Sequence, residues 1–166
     1  MRLSGNATIL GDDIDTDTIF PGRYLAVLRP EDQARHLFEP LGEALRAKAV
    51  AGGVLVGGWN FGCGSSREHA VTAMIGAGIR LVIAKSFSRI FFRNAVNNGL
   101  AVLIGPDLAG VIEDGQDVVV HLENGLATVA GREHRFTPLP AEVLSILTAG
   151  GLWASHGIAP RRESAG

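Results

Sequence analysis

The stretch Asn60–Ala70, NFGCGSSREHA, gathers a cysteine, two serines, an arginine, a glutamate and a histidine around two glycines. Residues of these types could form a phosphate cradle, a cysteine nucleophile, a metal site, a helix cap, or an anion site with a catalytic serine. A Walker-type loop needs a lysine after its glycines. None lies between Lys48 and Lys85, which excludes it. A dinucleotide fingerprint would need a third glycine where Arg67 stands. A hydrolase nucleophile elbow would need glycine on both sides of the serine, whereas Ser65 is followed by Ser66. Cys63 before a helix would gain thiolate stabilisation. A lone cysteine reads first, however, as a small residue packed under the turn. His69 reads as a packing residue of the first helical turn rather than a base or ligand.

Ser65 carries more. Ser65-Ser66-Arg67-Glu68 fits a capping box ahead of an apolar helix. The first turn of a helix presents unpaired N–H groups and a partial positive charge, and anions bind there. A serine in that field, beside Arg67, can donate to a substrate carboxylate. It can also accept a proton if its alkoxide is stabilised. Gly62 and Gly64 would let a ligand approach the backbone. These residues alone point to a carboxylate or phosphate site. The second polar cluster, Asp12, Asp13, Asp15 and Asp17, has oxygens for a hard cation. It lacks the glycine and terminal glutamate of an EF-hand loop. Aspartates also form turns and caps, so a solvated loop is the expected reading.

The elements that must position these groups follow from the apolar pattern. The 166 residues favour a single domain over 1–166, with 46% hydrophobic and 19% charged residues supporting a folded core. The net charge of -2 argues against a general nucleic-acid binder. One cysteine allows no intrachain disulfide and no cysteine-built metal or cluster site. The N-terminus lacks a signal-peptide core, and no apolar run reaches the roughly 20 residues of a membrane span. The expected location is the cytoplasm.

RLSGNATIL reads as a short strand, and the acidic segment after it as a loop. Pro30–Val50 has helical spacing that Pro40 and Gly42 split into two short helices. GGVLVGG, IRLVIAK and LAVLIG read as strands. Between them stand helices over Ser66–Ala77, closed by Gly78, and over SFSRIFFRNAVNN, stopped by Gly99. Strand, helix, strand, helix, strand predicts parallel βαβ units. QDVVVHLENGLATVAG predicts a hairpin with its turn at Asn124-Gly125. PAEVLSILTAGGL predicts a closing helix, and the polar tail 158–166 is expected to fray.

DDIDTDTIFPGRYL, NFGCGSSREHA and IAKSFSRIFFRNAVNNGL resemble, in order, three blocks of the small subunits of 3-isopropylmalate dehydratases, the swivel-domain component of the aconitase superfamily. The likeness covers roughly the first two thirds of the chain, more loosely the rest. It implies an α/β fold, a three-layer β/β/α swivelling domain. It also implies a partner, a large subunit carrying a [4Fe-4S] cluster on its own cysteines, in a heterodimer or heterotetramer. One iron of that cluster acts as a Lewis acid on the substrate hydroxyl. The reaction so implied is a dehydration and rehydration of a malate derivative in leucine biosynthesis.

Residue by residue, the resemblance implies that Ser65 is the base. Arg67 stabilises it and binds carboxylate, and Ser66 contacts substrate. Asp17 lines the site, and the Arg23–Val27 loop reads the substrate's variable group. Cys63 matches a position that is not a cluster ligand. Arg89, Arg93, Asn94 and Asn98 are implied scaffold or subunit contacts. After RYL, these enzymes tend to carry an aliphatic residue and homoaconitases an arginine. Here Ala26 and Val27 follow, which keeps dimethylmalate, methylmalate and homoaconitate-type dehydratases as alternatives, beside a carboxylate-binding module without catalysis.

Overall fold

The computed structural model describes residues 1–157, so the tail 158–166 lies outside the described residues. The chain opens with β1 (Arg2–Ile9), and the acidic segment after it winds into one helical turn, α1 (Thr16–Ile19). A 3-10 turn (Gly22–Tyr24) leads to α2 (Pro30–Gln33). Two more 3-10 turns lead to α3 (Glu43–Gly52). Then the expected alternation runs β2 (Gly53–Gly57), α4 (Glu68–Gly76), β3 (Leu81–Ala84), α5 (Arg89–Asn97), β4 (Ala101–Ile104). The last third holds α6 (Pro106–Val111), β5 (Asp117–His121), β6 (Leu126–Val129), β7 (Arg132–Arg135), α7 (Ala141–Ala149) and α8 (Leu152–Ser155).

All seven strands form one sheet in the order β4-β3-β2-β1-β5-β6-β7. β1 to β4 are parallel to one another, and β5 to β7 add on antiparallel. β2 and β3 are buried at every residue, as parallel strands covered on both faces must be. The expected hairpin forms around Gly125, whose φ is +62°. β7 was not anticipated. Its residues REHR carry no strand-like apolar pattern, because they sit on a sheet edge where charge discourages further pairing.

One face of the sheet explains the layering. Leu103, Ile83, Val56 and Ala7 of the parallel strands share a single core with Val118, Val120, Ala127 and Val129 of the antiparallel ones. Side chains spread over six neighbouring strands can meet in one core only if the sheet curls over on itself. On the opposite face, Leu55, Val82 and Val102 pack against Val71 and Met74 of α4 and Phe91 and Ala95 of α5. The result is helices, parallel half-sheet and antiparallel half-sheet, the β/β/α order expected. The loops after β1, β2 and β3 emerge together at the carboxyl ends of parallel strands, the edge at which open α/β sheets bind ligands.

Candidate active site

Backbone hydrogen bonds knit these three loops together. Gly58 N–H donates to Gly11, Asp13 N–H to Trp59, Gly62 N–H to Ile14, Phe61 N–H to Ser86 and Ser88 N–H to Phe61. The acidic residues complete this ladder. Asp12 Oδ1 accepts from Trp59 N–H at 2.7 Å, and Asp13 Oδ1 from Asn60 Nδ2 at 2.9 Å. Asp15 Oδ1 caps α1 by accepting from Thr18 N–H at 2.6 Å. The expected solvated loop is therefore corrected: Ile14, Thr16 and Ile19 within it are buried, and it contains α1. Its carboxylates point at separate donors rather than converging. Among the described residues no group of three His, Cys, Asp or Glu could hold a metal ion.

The expected capping box does not form. α4 begins at Glu68, and Arg67 occupies the N-cap position with φ −135° and ψ 108° and no side-chain cap bond. The reason is tertiary. Cys63 bridges to Asp15, Thr16 N–H donates to Cys63 O at 2.9 Å, and Thr16 Oγ1 donates to Ser65 O at 3.0 Å. The chain is held extended along α1, and helical geometry starts only after Arg67. Gly62 has a packing role as well. A Cβ there would stand 2.2 Å from Phe91 Cγ, and its φ is +75°, so close packing on Phe91 by itself requires this glycine.

Ser65, Ser66 and Arg67 line one tight crevice with Thr16, Gly62 and Gly64, bounded also by Ser88, Ile90, Phe91 and Asn94 of the α5 region and too narrow as it stands to admit a water molecule. Both serines are exposed, and among the described residues neither hydroxyl is hydrogen-bonded. The Arg67 side chain is only 15% exposed. Its Nη1 donates to Asp17 Oδ1 and, at 3.1 Å, to Phe20 O. That uses two of its five N–H donors and leaves Nε and Nη2 for an anion. Asp17 is held below its ordinary carboxylate value chiefly by the Arg67 hydrogen bond, with the charge of Arg67 and the Gly22 N–H adding to it. The cation is thus fixed in place before any ligand arrives, beside two free hydroxyls. Such a site can orient a carboxylate and stabilise charge that develops on it.

Asp17, Arg23, Ala26 and Val27 are not among the residues lining that crevice, and Asp17 reaches it only through Arg67. Arg23 pairs with Glu39 and stands 4.8 Å over the Tyr24 ring. Ala26 is exposed and Val27 half-buried in the adjoining segment, which starts at Gly22 against Arg67 and Asp17. Thr16, Ser88, Ile90 and Asn94 were not singled out as site residues. Only Ser88 had a local signal, as the N-cap that accepts from Phe91 N–H. Burial pushes the Cys63 thiol up, and Asp15 and Asp13 push the same way, which disfavours the thiolate that a nucleophile or a cluster ligand needs. His69 stacks on Phe20 at 5.7 Å, a packing role.

The Aconitase C-terminal domain family matches residues 31–105. The chain is 47% identical to 3-isopropylmalate dehydratase small subunit 1 of Methanopyrus kandleri, over 90% of this chain and 89% of that one. It is 42% identical to the 3-isopropylmalate dehydratase small subunit of Helicobacter hepaticus, over 91% and 93%. The crystal structure of 3-isopropylmalate dehydratase from Methanocaldococcus jannaschii superposes with a TM-score of 0.87 at 40% identity, covering 95% of this chain and 94% of that one. With likeness of this degree along nearly the full length of both partners, in sequence and in fold alike, the chain belongs to the family of 3-isopropylmalate dehydratase small subunits.

Proposed function

We propose that this chain is the small subunit of a 3-isopropylmalate dehydratase, a hydro-lyase that interconverts 2-isopropylmalate and 3-isopropylmalate by removing and re-adding water. The observation that carries the reading is the crevice in which Ser65 and Ser66 lie free beside an arginine held by Asp17. The proton to be removed sits on carbon next to a carboxylate. Ser65, ionised to an alkoxide in the positive field of Arg67, takes that proton and becomes the neutral hydroxyl, and Arg67 neutralises the charge that grows on the carboxylate. Ser66 hydrogen-bonds substrate. Asp17 keeps the guanidinium in place, and the Arg23–Val27 loop meets the variable arm.

This chain does not fit an iron–sulfur cluster: Cys63 is its sole cysteine, and its thiol is biased toward the protonated form. Small-subunit relatives imply a large subunit, and aconitase-family dehydratases in general use an iron–sulfur one. The cluster therefore belongs to that partner, in a heterodimer or heterotetramer. The test is co-expression with the large subunit, anaerobic cluster assembly, and an absorbance assay for the unsaturated intermediate. The complex should turn over 3-isopropylmalate, and the small subunit alone should be inactive. Turnover or a stoichiometric cluster in this chain alone would overturn the division of roles.

A further inference from the structure

The segment joining α1 to α2 is held at its start by Asp17, the partner of Arg67, and at its far end by α4. At its start, Gly22 N–H donates to Asp17 Oδ1 at 3.3 Å, and a Cβ on Gly22 would stand 3.1 Å from Arg67 Nη2. At its far end is Gln33, the last residue of α2, only 3% exposed. Gln33 Nε2 donates to the carbonyls of Val27 at 2.9 Å and Leu28 at 3.3 Å. Gln33 Oε1 accepts from Thr72 Oγ1, on α4, at 2.5 Å. Two carbonyls on one side require the NH₂ end there, which settles the orientation of the amide. Nearby, Gly76 has no room for a Cβ, which would meet Pro30 O at 2.2 Å, so α2 and α4 are in close contact.

Between these ties the segment stays open. Leu25 is 41% and Leu28 65% exposed, and Ala26 is exposed between them. Burying an amide is costly unless each polar atom is partnered, and an apolar pair would hold α2 to α4 without that cost. What the amide adds is direction. It fixes two loop carbonyls relative to the helix whose N-cap is Arg67.

We propose that Gln33 is the positioning residue of the substrate-reading loop: through Thr72 it sets where Ala26 and Val27 stand relative to Ser65 and Arg67, and so which substrate arm is accepted. This rests on the reading that the Arg23–Val27 loop meets the variable arm. In the reconstituted complex, Gln33→Leu and Thr72→Val should each change the ratio of kcat/KM for 3-isopropylmalate over citramalate by about tenfold, the scale of a small misplacement. Hydrogen exchange at the Val27 amide should rise in both. Thr72→Ser keeps the hydroxyl and should keep the wild-type ratio. A merely structural role would lower both rates in proportion and leave the ratio unmoved.

Ala26→Arg separates the two ideas. If it changes substrate preference while Gln33→Leu and Thr72→Val do not, the positioning role is overturned and the loop reading stands. If none of the three changes preference, the loop reading falls and the role of Gln33 with it. Should Gln33→Leu fail to fold, Thr72→Val decides alone, because it leaves the bonds to Val27 and Leu28 in place.

Discussion

The hydroxyl of Thr16, in a residue only 3% exposed, donates to the backbone carbonyl of Ser65 at 3.0 Å across 49 positions of sequence. Ser65 is thus placed through its backbone, and its own hydroxyl is free of any capping duty. Ser65→Ala should cut turnover of the reconstituted enzyme by about 10²–10⁴, the usual loss of a positioned base. Its stability should stay within about 0.5 kcal/mol of wild type, as for an ordinary surface change. Thermal unfolding checks the second point. A loss near the roughly 1 kcal/mol of a missing cap would mean that Ser65 caps α4 after all.

The same pair of residues shows where sequence reasoning ends. The strand–helix alternation from Gly53 to Ile104 was legible because burial on both faces leaves apolar runs that no polar residue interrupts. The hairpin was legible from Asn124-Gly125. Ser65, Ser66 and Arg67 were legible as a group because they are neighbours in the chain. The start of α4 was misread, since the local pattern Ser-x-x-Glu was overruled by Thr16, which no local window includes. Gln33 and Thr72 went unread for the same reason. Each is unremarkable in its own helix, and only the packing of α2 on α4 makes them a pair.

Asp17 and Arg67 predict a pH dependence. Asp17 titrates below its ordinary value of 3.8, mainly through the hydrogen bond from Arg67. The unfolded chain therefore takes up this proton before the folded one does. The contribution is fully present above pH 3.8 and is lost as pH falls below that toward the depressed value. Asp17→Asn should make stability fall less steeply with acid in that window, with a constant offset from wild type near neutrality. The effect is modest, because the Asp17 side chain is 64% exposed. Asp114, lowered by Lys48, keeps part of the acid sensitivity in the variant. Urea unfolding at a series of pH values measures both limbs.

Cys63 should be sluggish toward thiol reagents. Its thiol is pushed up by burial first and by Asp15 and Asp13 after that, so less thiolate is present at neutral pH than in an exposed cysteine. Iodoacetamide should alkylate the folded chain more slowly than the urea-unfolded chain at the same pH. Cys63→Ser should keep most of the complex's activity. Equal alkylation rates would mean that neither burial nor the carboxylates hold the thiol back.

Gly62→Ala should damage the fold more than Gly64→Ala. Both positions have positive φ, +75° and +95°. At Gly62 the new methyl would also collide with Phe91, which is 2% exposed and packed against Phe61 and Phe87. At Gly64 the nearest atom is Thr16 Oγ1 at 3.3 Å, a contact that a small shift relieves. Denaturant unfolding should show a loss of about 2 kcal/mol or more for Gly62→Ala, from strain and overpacking together. Equal losses would show that φ alone sets the cost.

Ala26 tests the choice of substrate. It is exposed, with Leu25 and Leu28 open beside it, so the loop offers an alkyl surface there, and the cation of the loop, Arg23, is paired with Glu39. An alkyl arm gains roughly 0.8 kcal/mol for each methylene buried there. A further carboxylate would be buried without a partner. Arg29 is another candidate for that partner, but it is the N-cap residue of α2, 77% exposed, and its Nε lies 3.7 Å from Glu31 Oε2. The wild-type complex should therefore prefer 3-isopropylmalate and 2,3-dimethylmalate to homoisocitrate by kcat/KM. Ala26→Arg should move preference toward the tricarboxylate, and Arg29→Ala should change little. A wild type that favours homoisocitrate, and loses that preference in Arg29→Ala, would make Arg29 the residue that reads the substrate. The Arg29–Glu31 contact would then have to break on binding, and Glu31→Gln, which weakens it, should lower KM for the tricarboxylate.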